Sequence, residues 1–364
     1  MLYILSESYV PNTAVTNHAL SFVRGFSDLG IKAKWLFLMN GGKNQRVDMD
    51  LPGIEVQYLW TPFWSKNKYI KHLYKHYAYA KFFFSLKPGD TVLLLGMSAY
   101  ISKLTRRKGV NVFHERTEHP DAVRNTRFGF SLWNYFDCCK KLDGLFVISE
   151  ALRKYFVANG VPLDKVHVIN MVVDSRRFEG LRKSEGVPPY VAYCGNASND
   201  KDGVDNLIKS FAIVAKSHPE LKLKVIGPAP KNGTENLSLV EKLGLKDCIE
   251  FTGIVPASAM PQFLLDAKIV ALARPNSLQN KYGFPCKLGE YLLSGNPVIV
   301  TKVGDIPLFL SDRDTALMTD CGDVAGFAEK ICWVLENPTE AKTIGERGKE
   351  VAVANFNYLT ETQK

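Results

Sequence analysis

The chain has 364 residues, more than one hydrophobic core commonly supports, so two domains are the expectation. Its 46% hydrophobic and 23% charged content is ordinary for a soluble globular protein, and no stretch approaches the roughly 18 uncharged apolar residues that a membrane span needs. A net charge of +9 fits scattered surface lysine, an anionic substrate, an anionic membrane surface or nucleic acid, and does not choose among them.

The opening segment reaches Glu7 before any small-residue cleavage site, so it reads as a buried strand and not a signal peptide. Seven cysteines, Cys138, Cys139, Cys194, Cys248, Cys286, Cys321 and Cys332, lack CxxC spacing. The odd count argues for reduced thiols in a cytoplasm, against a disulfide framework and a zinc site, with most of them small core residues.

In chain order, a strand over Leu2–Ser6 is followed by a polar loop, a helix over Asn17–Leu29 closed by Gly30, and a strand over Ile31–Met39. Further strands fall at Thr91–Leu95, Asn111–Phe113 and Gly144–Ile148. The segment Leu181–Pro189, rich in charge, glycine and proline, breaks the pattern and reads as a linker. Alternation then restarts with strands at Tyr190–Tyr193 and Lys222–Ile226 around a helix over Val204–Ser217, and a helix near Leu237–Leu243. Strands at Ile249–Phe251 and Ile269–Ala273, a helix over Leu288–Ser294, and strands at Pro297–Thr301 and Ala316–Met318 complete the series. Strands alternating with helices imply two α/β, doubly wound, parallel-sheet domains, Rossmann-like, with ligands at the carboxyl ends of the strands. The boundaries read as residues 1–180, a linker at 181–189, a second domain at 190–345, and a tail at 346–364 that crosses back to the first domain.

The ordered signals lie in the second half. Tyr193-Cys194-Gly195-Asn196 leads through Lys201 to Gly203-Val204 after a strand and before a helix. Downstream come Tyr282-Gly283-Phe284-Pro285-Cys286-Lys287-Leu288-Gly289-Glu290-Tyr291 and Gly295-Asn296-Pro297-Val298, with Val225-Ile226-Gly227 and Phe251-Thr252-Gly253 between. In order and spacing this resembles the donor domain of family 4 (group 1) glycosyltransferases, which have the GT-B fold of two Rossmann-like domains facing across a cleft. Ser149-Glu150 and Ile169-Asn170-Met171-Val172-Val173-Asp174 are similar to that family's two signatures before the hinge. The resemblance implies retaining transfer of a sugar from a nucleotide diphosphate sugar to a glycan or lipid-linked acceptor, in cell-surface polysaccharide synthesis. It implies a cytoplasmic enzyme, peripheral on the membrane at most, with no cofactor and no metal.

Lys201 sits where backbone N–H groups and a helix dipole suit a diphosphate, and its ammonium would neutralise the leaving group. The family places an arginine just after the first glycine; here Asn196 holds that place, and either Arg274 or Lys287 is expected to supply the cation instead. By resemblance Glu290 accepts bonds from the ribose hydroxyls; the plain alternative is a first-turn glutamate favoured by the helix dipole. The family's earlier acid is absent: counting back eight residues reaches Tyr282, or Asn280 with a two-residue insertion. Neither ionises as a carboxylate near neutral pH, so phosphate stabilisation is better supported than a covalent nucleophile. The Gly283 and Phe284 amides remain candidates for sugar or phosphate contacts, and Leu288 follows them in the donor motif.

In the first half, His119 and Glu118 are candidates beside the transferred sugar, His114 reads as core, and Arg116 as a partner of Glu115 or Glu118. Asn12 and Thr13 lie on the loop expected to face the acceptor. Over Trp64–Phe84, Lys66, Lys68, Lys71, Lys75 and Lys81 interleave with aromatics. Such a helix either lies on an anionic leaflet or packs as an ordinary amphipathic element. Two rival functions stay open: a nucleotide-sugar epimerase using Glu115, Glu118 and Glu150, and a basic nucleic-acid-binding protein, for which no recognised module appears.

Overall fold

The computed structural model describes residues 1–10, 14–38, 47, 50–59, 67–96, 101–121, 132–228 and 234–364. Asn12, Thr13 and Lys66 lie outside these, as do the side chains of Lys68 and Lys71. The chain forms two units, one of Met1–Val172 with Tyr358–Lys364 and one of Val173–Asn357.

The first unit holds seven strands: β1 (Leu2–Ser6), β2 (Ala33–Phe37), β3 (Ile54–Tyr58), β4 (Thr91–Leu95), β5 (Asn111–Arg116), β6 (Gly144–Val147) and β7 (Val166–Val168). They pair in the order β3-β2-β1-β4-β5-β6-β7, all parallel. Central strands such as β4, TVLLL, are buried on both faces, which is why they read as apolar runs without alternation. Ile4, Val23, Trp35, Phe37 and Leu93 build the core between the sheet and the Ala14–Asp28 helix. The short helix Tyr358–Gln363 docks on that helix: Gly25 leaves room for the Thr362 side chain, and the Tyr358 hydroxyl donates to Asp28. The buried Glu361 carboxylate accepts from the Asn170 amide at 2.9 Å.

The second unit holds β8 (Tyr190–Cys194), β9 (Lys222–Ile226), β10 (Ile249–Gly253), β11 (Ile269–Leu272), β12 (Val298–Thr301) and β13 (Leu317–Thr319). Their order is β10-β9-β8-β11-β12-β13, again all parallel. Strand order reverses direction between β8 and β11, the topological switch point at which open α/β sheets bind ligands beyond the strands' carboxyl ends.

The linker expectation needs correcting. The chain passes from one unit to the other at Val172–Val173, a buried apolar stretch, and Leu181–Pro189 belongs to the second unit. Its charged, turn-forming composition marks an exposed loop, but one tied down locally: Ser184 bonds both oxygens of Asp266, and Lys183 donates to the Ala267 carbonyl. Exposure is what that composition encodes, and a boundary need not follow. Among the described residues no helix is long and apolar enough to cross a membrane. All seven cysteines are free thiols; Cys138, Cys139 and Cys194 are buried and the other four only partly so.

Candidate donor site in the second unit

At the carboxyl end of β8 the chain turns through Gly195, whose φ of 142° is a conformation L side chains rarely adopt. A Cβ there would collide with the Lys287 ammonium, so glycine is what lets that cation approach the strand end. The Tyr291 hydroxyl clamps the same strand end, accepting from the Cys194 amide at 2.7 Å and lying 2.8 Å from its carbonyl. Tyr291 and Lys287 both belong to the Cys286–Leu293 helix, so one helix fixes the strand end and delivers a cation to it.

The centre of the site is Asp202, 3% exposed, the last residue of the short Asn199–Asp202 helix. Lys287 Nζ lies 2.7 Å from its Oδ2 and 3.0 Å from the Tyr193 hydroxyl. The Tyr193 hydroxyl is 2.8 Å from Asp202 Oδ2 and 2.7 Å from the Asn196 carbonyl, and shares its single proton between them. Arg274, two residues beyond β11 and 4% exposed, places Nη2 3.3 Å from Asp202 Oδ1. Neither Asp202 Oδ1 nor Arg274 Nε has a hydrogen-bond partner among the described residues. Gly203, at φ 65°, lets this loop pass against the Ala273 carbonyl, where a Cβ would overlap it.

Electrostatics follow from this crowding. Burial alone would push the Asp202 carboxyl up, but Lys287 and Arg274 together hold it below the usual carboxylate range. Burial lowers the Lys287 ammonium, Asp202 raises it, Arg274 lowers it again, and the balance lies below its ordinary value. Burial and the Asp202 charge keep the Tyr193 phenol far above its ordinary value, so it acts as a neutral donor. Two cations share one carboxylate, and the cluster carries a net positive charge at the switch point.

The other expected donor residues are placed as follows. Lys201 lies in the same short helix, and the Asn280 side-chain amide bonds its carbonyl at 2.8 Å and that of Pro275 at 2.9 Å. Asn280, weighed above as the place of a missing acid, is therefore a buried brace of the cationic loop. Glu290 forms an ion pair with Arg177, whose other nitrogen donates to the Ala257 carbonyl at 2.8 Å. Gly283 caps the Leu278–Tyr282 helix and its N–H already donates to Gln279, so that amide is committed. Phe284 packs against Phe309 and Phe356, and Leu288 is fully buried; both side chains are core. Asn196 points its side chain to the exterior while its carbonyl serves Tyr193.

In the first unit, β5 runs on to Arg116, three residues past its expected end, which puts His114 in the core and its pKa at about 3 through burial. His119 is buried against the Tyr155 ring and accepts from the Asp121 amide at 3.2 Å; burial lowers its pKa. Arg116 donates through Nε to the Glu118 carbonyl at 2.9 Å and lies over the Tyr135 ring. Glu115 instead meets His18 at 2.6 Å, both buried. Among the described residues no group of three or more His, Cys, Asp or Glu side chains is arranged to hold a metal ion.

Sequence reasoning missed Asp202, the Tyr193 and Tyr291 hydroxyls, Arg177 and the His18–Glu115 pair. Only Asp202 left a local signal: an acid between Lys201 and Gly203, in a loop already expected to carry cations.

Residues 188–337 match the family described as Glycosyl transferases group 1, so the matched segment contains the whole Asp202 cluster. The chain is 28% identical over 187 residues to the D-inositol 3-phosphate glycosyltransferase of Corynebacterium glutamicum, covering 49% of this chain and 43% of that protein. It is 28% identical over 153 residues to the N-acetyl-alpha-D-glucosaminyl L-malate synthase of Bacillus anthracis, covering 42% and 38%. The chain thus spans less than half the length of these curated relatives. In fold it is similar to Anabaena HepE solved with UDP-glucose (TM-score 0.74, 17% identity, 100% of this chain and 97% of that one). It is equally similar to the sucrose-phosphate synthase of Thermosynechococcus elongatus (TM-score 0.76, 15% identity, 100% and 96%). Residues 188–337, in the second unit, thus match the group 1 glycosyltransferase family, and the two parallel Rossmann-like sheets share the GT-B fold of these solved structures.

Proposed function

We propose that this protein is a retaining glycosyltransferase that moves a sugar from a nucleoside diphosphate sugar to a hydroxyl of a glycan or lipid-linked acceptor. The observation that carries the reading is the positive cluster of Arg274 and Lys287 around Asp202, beside Lys201, at the β8/β11 switch point. A dianionic leaving group is the ligand such a cluster fits, because buried cations stabilise charge that develops as the glycosidic bond breaks.

In this mechanism the bond from the sugar's anomeric carbon to the diphosphate oxygen breaks, and the acceptor oxygen bonds to the same face of that carbon. The acceptor's proton passes to the departing phosphate oxygen. Lys201 and Lys287 neutralise the diphosphate, Glu290 receives the ribose hydroxyls, and no metal is called on.

Thermal-shift assays with UDP-, GDP-, ADP- and CDP-sugars, followed by product detection on glycan and lipid-linked acceptors, test this. Stabilisation by one donor class and a transferred sugar is the expected result. Failure of every donor and every free nucleoside diphosphate to stabilise the protein overturns it. Activity unchanged by EDTA is expected, and its loss with restoration by a divalent cation would overturn the metal-free step.

A membrane surface belongs to the same proposal. In the Lys68–Ser85 helix, Ala78, Tyr79 and Phe82 pack on the unit, while Tyr69, Leu73, Tyr77 and Phe84 are each more than 60% exposed. The exposed Lys81 and the exposed aromatics suit an anionic leaflet, while Lys75 is paired with Glu7. Cosedimentation with phosphatidylglycerol vesicles is expected and should fall on Leu73→Ser/Tyr77→Ser; no sedimentation overturns the membrane reading.

A further inference from the structure

Two cations were expected to compete for the place of the missing arginine, and the structure separates them by geometry. Lys287 Nζ lies so close to Gly195 that a Cβ on that residue would strike it, which puts the ammonium at the carboxyl end of β8, next to Asn196 in the chain. Arg274 is more deeply buried, and its contact with the site runs through Asp202 Oδ1. What sets the Lys287 position is a three-point hold: Asp202 Oδ2 at 2.7 Å, the Tyr193 hydroxyl at 3.0 Å, and the Tyr193 ring with its centroid 4.6 Å away.

Resting on the donor-binding reading above, in which Lys287 neutralises the diphosphate, we propose that Asp202 is the positioning residue that holds the Lys287 ammonium at the end of β8 for that contact. Asp202 does this without meeting the ligand. It is nearly inaccessible, already engaged by Lys287, Tyr193 and Arg274, and as an anion it would repel phosphate at closer range. Its carboxylate also fixes the charge state of Lys287. Around that ammonium stand Asp202 from the short helix, Arg274 beyond β11, and Tyr193 and Cys194 of β8. Of these only Asp202 among the charged groups favours the protonated form, against burial and Arg274. Asp202→Asn removes that support, so the ammonium loses its proton at a lower pH than in the wild type.

The test uses the member of UDP, GDP, ADP and CDP that binds the full-length wild type most tightly, titrated calorimetrically from pH 6 to 10 beside its unphosphorylated nucleoside. Lys287→Met should weaken the diphosphate about 10- to 100-fold, the worth of one charged hydrogen bond, and leave nucleoside binding unchanged. In Asp202→Asn, affinity for the diphosphate should fall with rising pH earlier than in the wild type. Asp202→Asn/Lys287→Met should bind no more weakly than Lys287→Met alone, because the aspartate acts through the lysine. Wild-type affinity in Lys287→Met, or an unmoved pH profile in a folded Asp202→Asn, overturns the proposal while leaving donor binding intact. Should Asp202→Asn fail to fold, Lys287→Met decides alone. No binding of any nucleoside diphosphate to the wild type overturns the donor reading itself.

Discussion

The second unit gathers two cations on one carboxylate at the ends of β8 and β11, whereas the first unit's buried polar groups near the end of β5 are imidazoles and a single glutamate. His114 is held neutral by burial, His119 is shifted the same way, and Glu115 lies 2.6 Å from the His18 imidazole. The difference teaches what each region is built to tolerate. A surplus cation in a low-dielectric setting is costly until an anion arrives, so the second unit is poised for a charged ligand. The described buried groups near the end of β5 in the first unit show no such pairing of two cations on one carboxylate.

The sharpest way to break this contrast is Arg274→Met. It removes the cation facing Asp202 Oδ1 and leaves the carboxylate with Lys287 and Tyr193 on its other oxygen. Because two of the three side-chain partners of Asp202 remain, the loss in the second unit should sit at the low end for a broken buried ion pair, about 3 kcal/mol. Urea denaturation measures it, and a change below about 1 kcal/mol would show that the Arg274 contact is electrostatically idle.

Acid tests the first unit. The His114 imidazole has a folded pKa of about 3 against an ordinary 6.5, so below pH 6.5 the unfolded chain takes up a proton that the folded one refuses. The stability this neutral histidine allows is complete above pH 6.5 and is lost as pH falls toward 3, amounting to about 2 kcal/mol between pH 7 and pH 5. His114→Gln should flatten that part of the stability profile. An unchanged slope would mean that His114 is protonated in the folded state.

Why some of this was legible in sequence and some was not follows from how local each signal is. β4 and β9 match their expected ends at Thr91–Leu95 and Lys222–Ile226, because an apolar run bounded by turn residues is written in adjacent positions. β3 and β7 were not anticipated: IEVQY is half-buried and mixed, and VHV is only three residues long. Lys201, Arg274, Lys287 and Glu290 could be singled out in the sequence because each stands beside a strand end or a motif glycine. Their partners could not. Asp202 meets Lys287 from 85 residues away and Glu290 meets Arg177 from 113, and such pairings are set by the sheet order and not by spacing. The Leu288 and Phe284 side chains pack in the core, and a motif position can be occupied for packing alone.

Glu290 gives the smallest effect on stability and the finest discrimination. Both it and Arg177 are about a quarter exposed, at 25% each, so their ion pair is partly screened by water. Glu290→Ala should therefore cost within about 1 kcal/mol of stability. If the carboxylate receives ribose hydroxyls, the wild type should prefer a ribonucleoside diphosphate to its 2′-deoxy counterpart, and Glu290→Ala should lose that preference. The loss should be about 10-fold in affinity for the ribonucleotide and little for the deoxynucleotide, because only the former has the second hydroxyl to give up. Arg177→Ala separates orientation from competition. Weaker ribonucleotide binding would mean that Arg177 aims the carboxylate at the sugar, and tighter binding that it holds the carboxylate away. Equal losses for both nucleotides in Glu290→Ala would leave Glu290 as a packing partner of Arg177, and donor recognition would then rest on the Asp202 cluster alone.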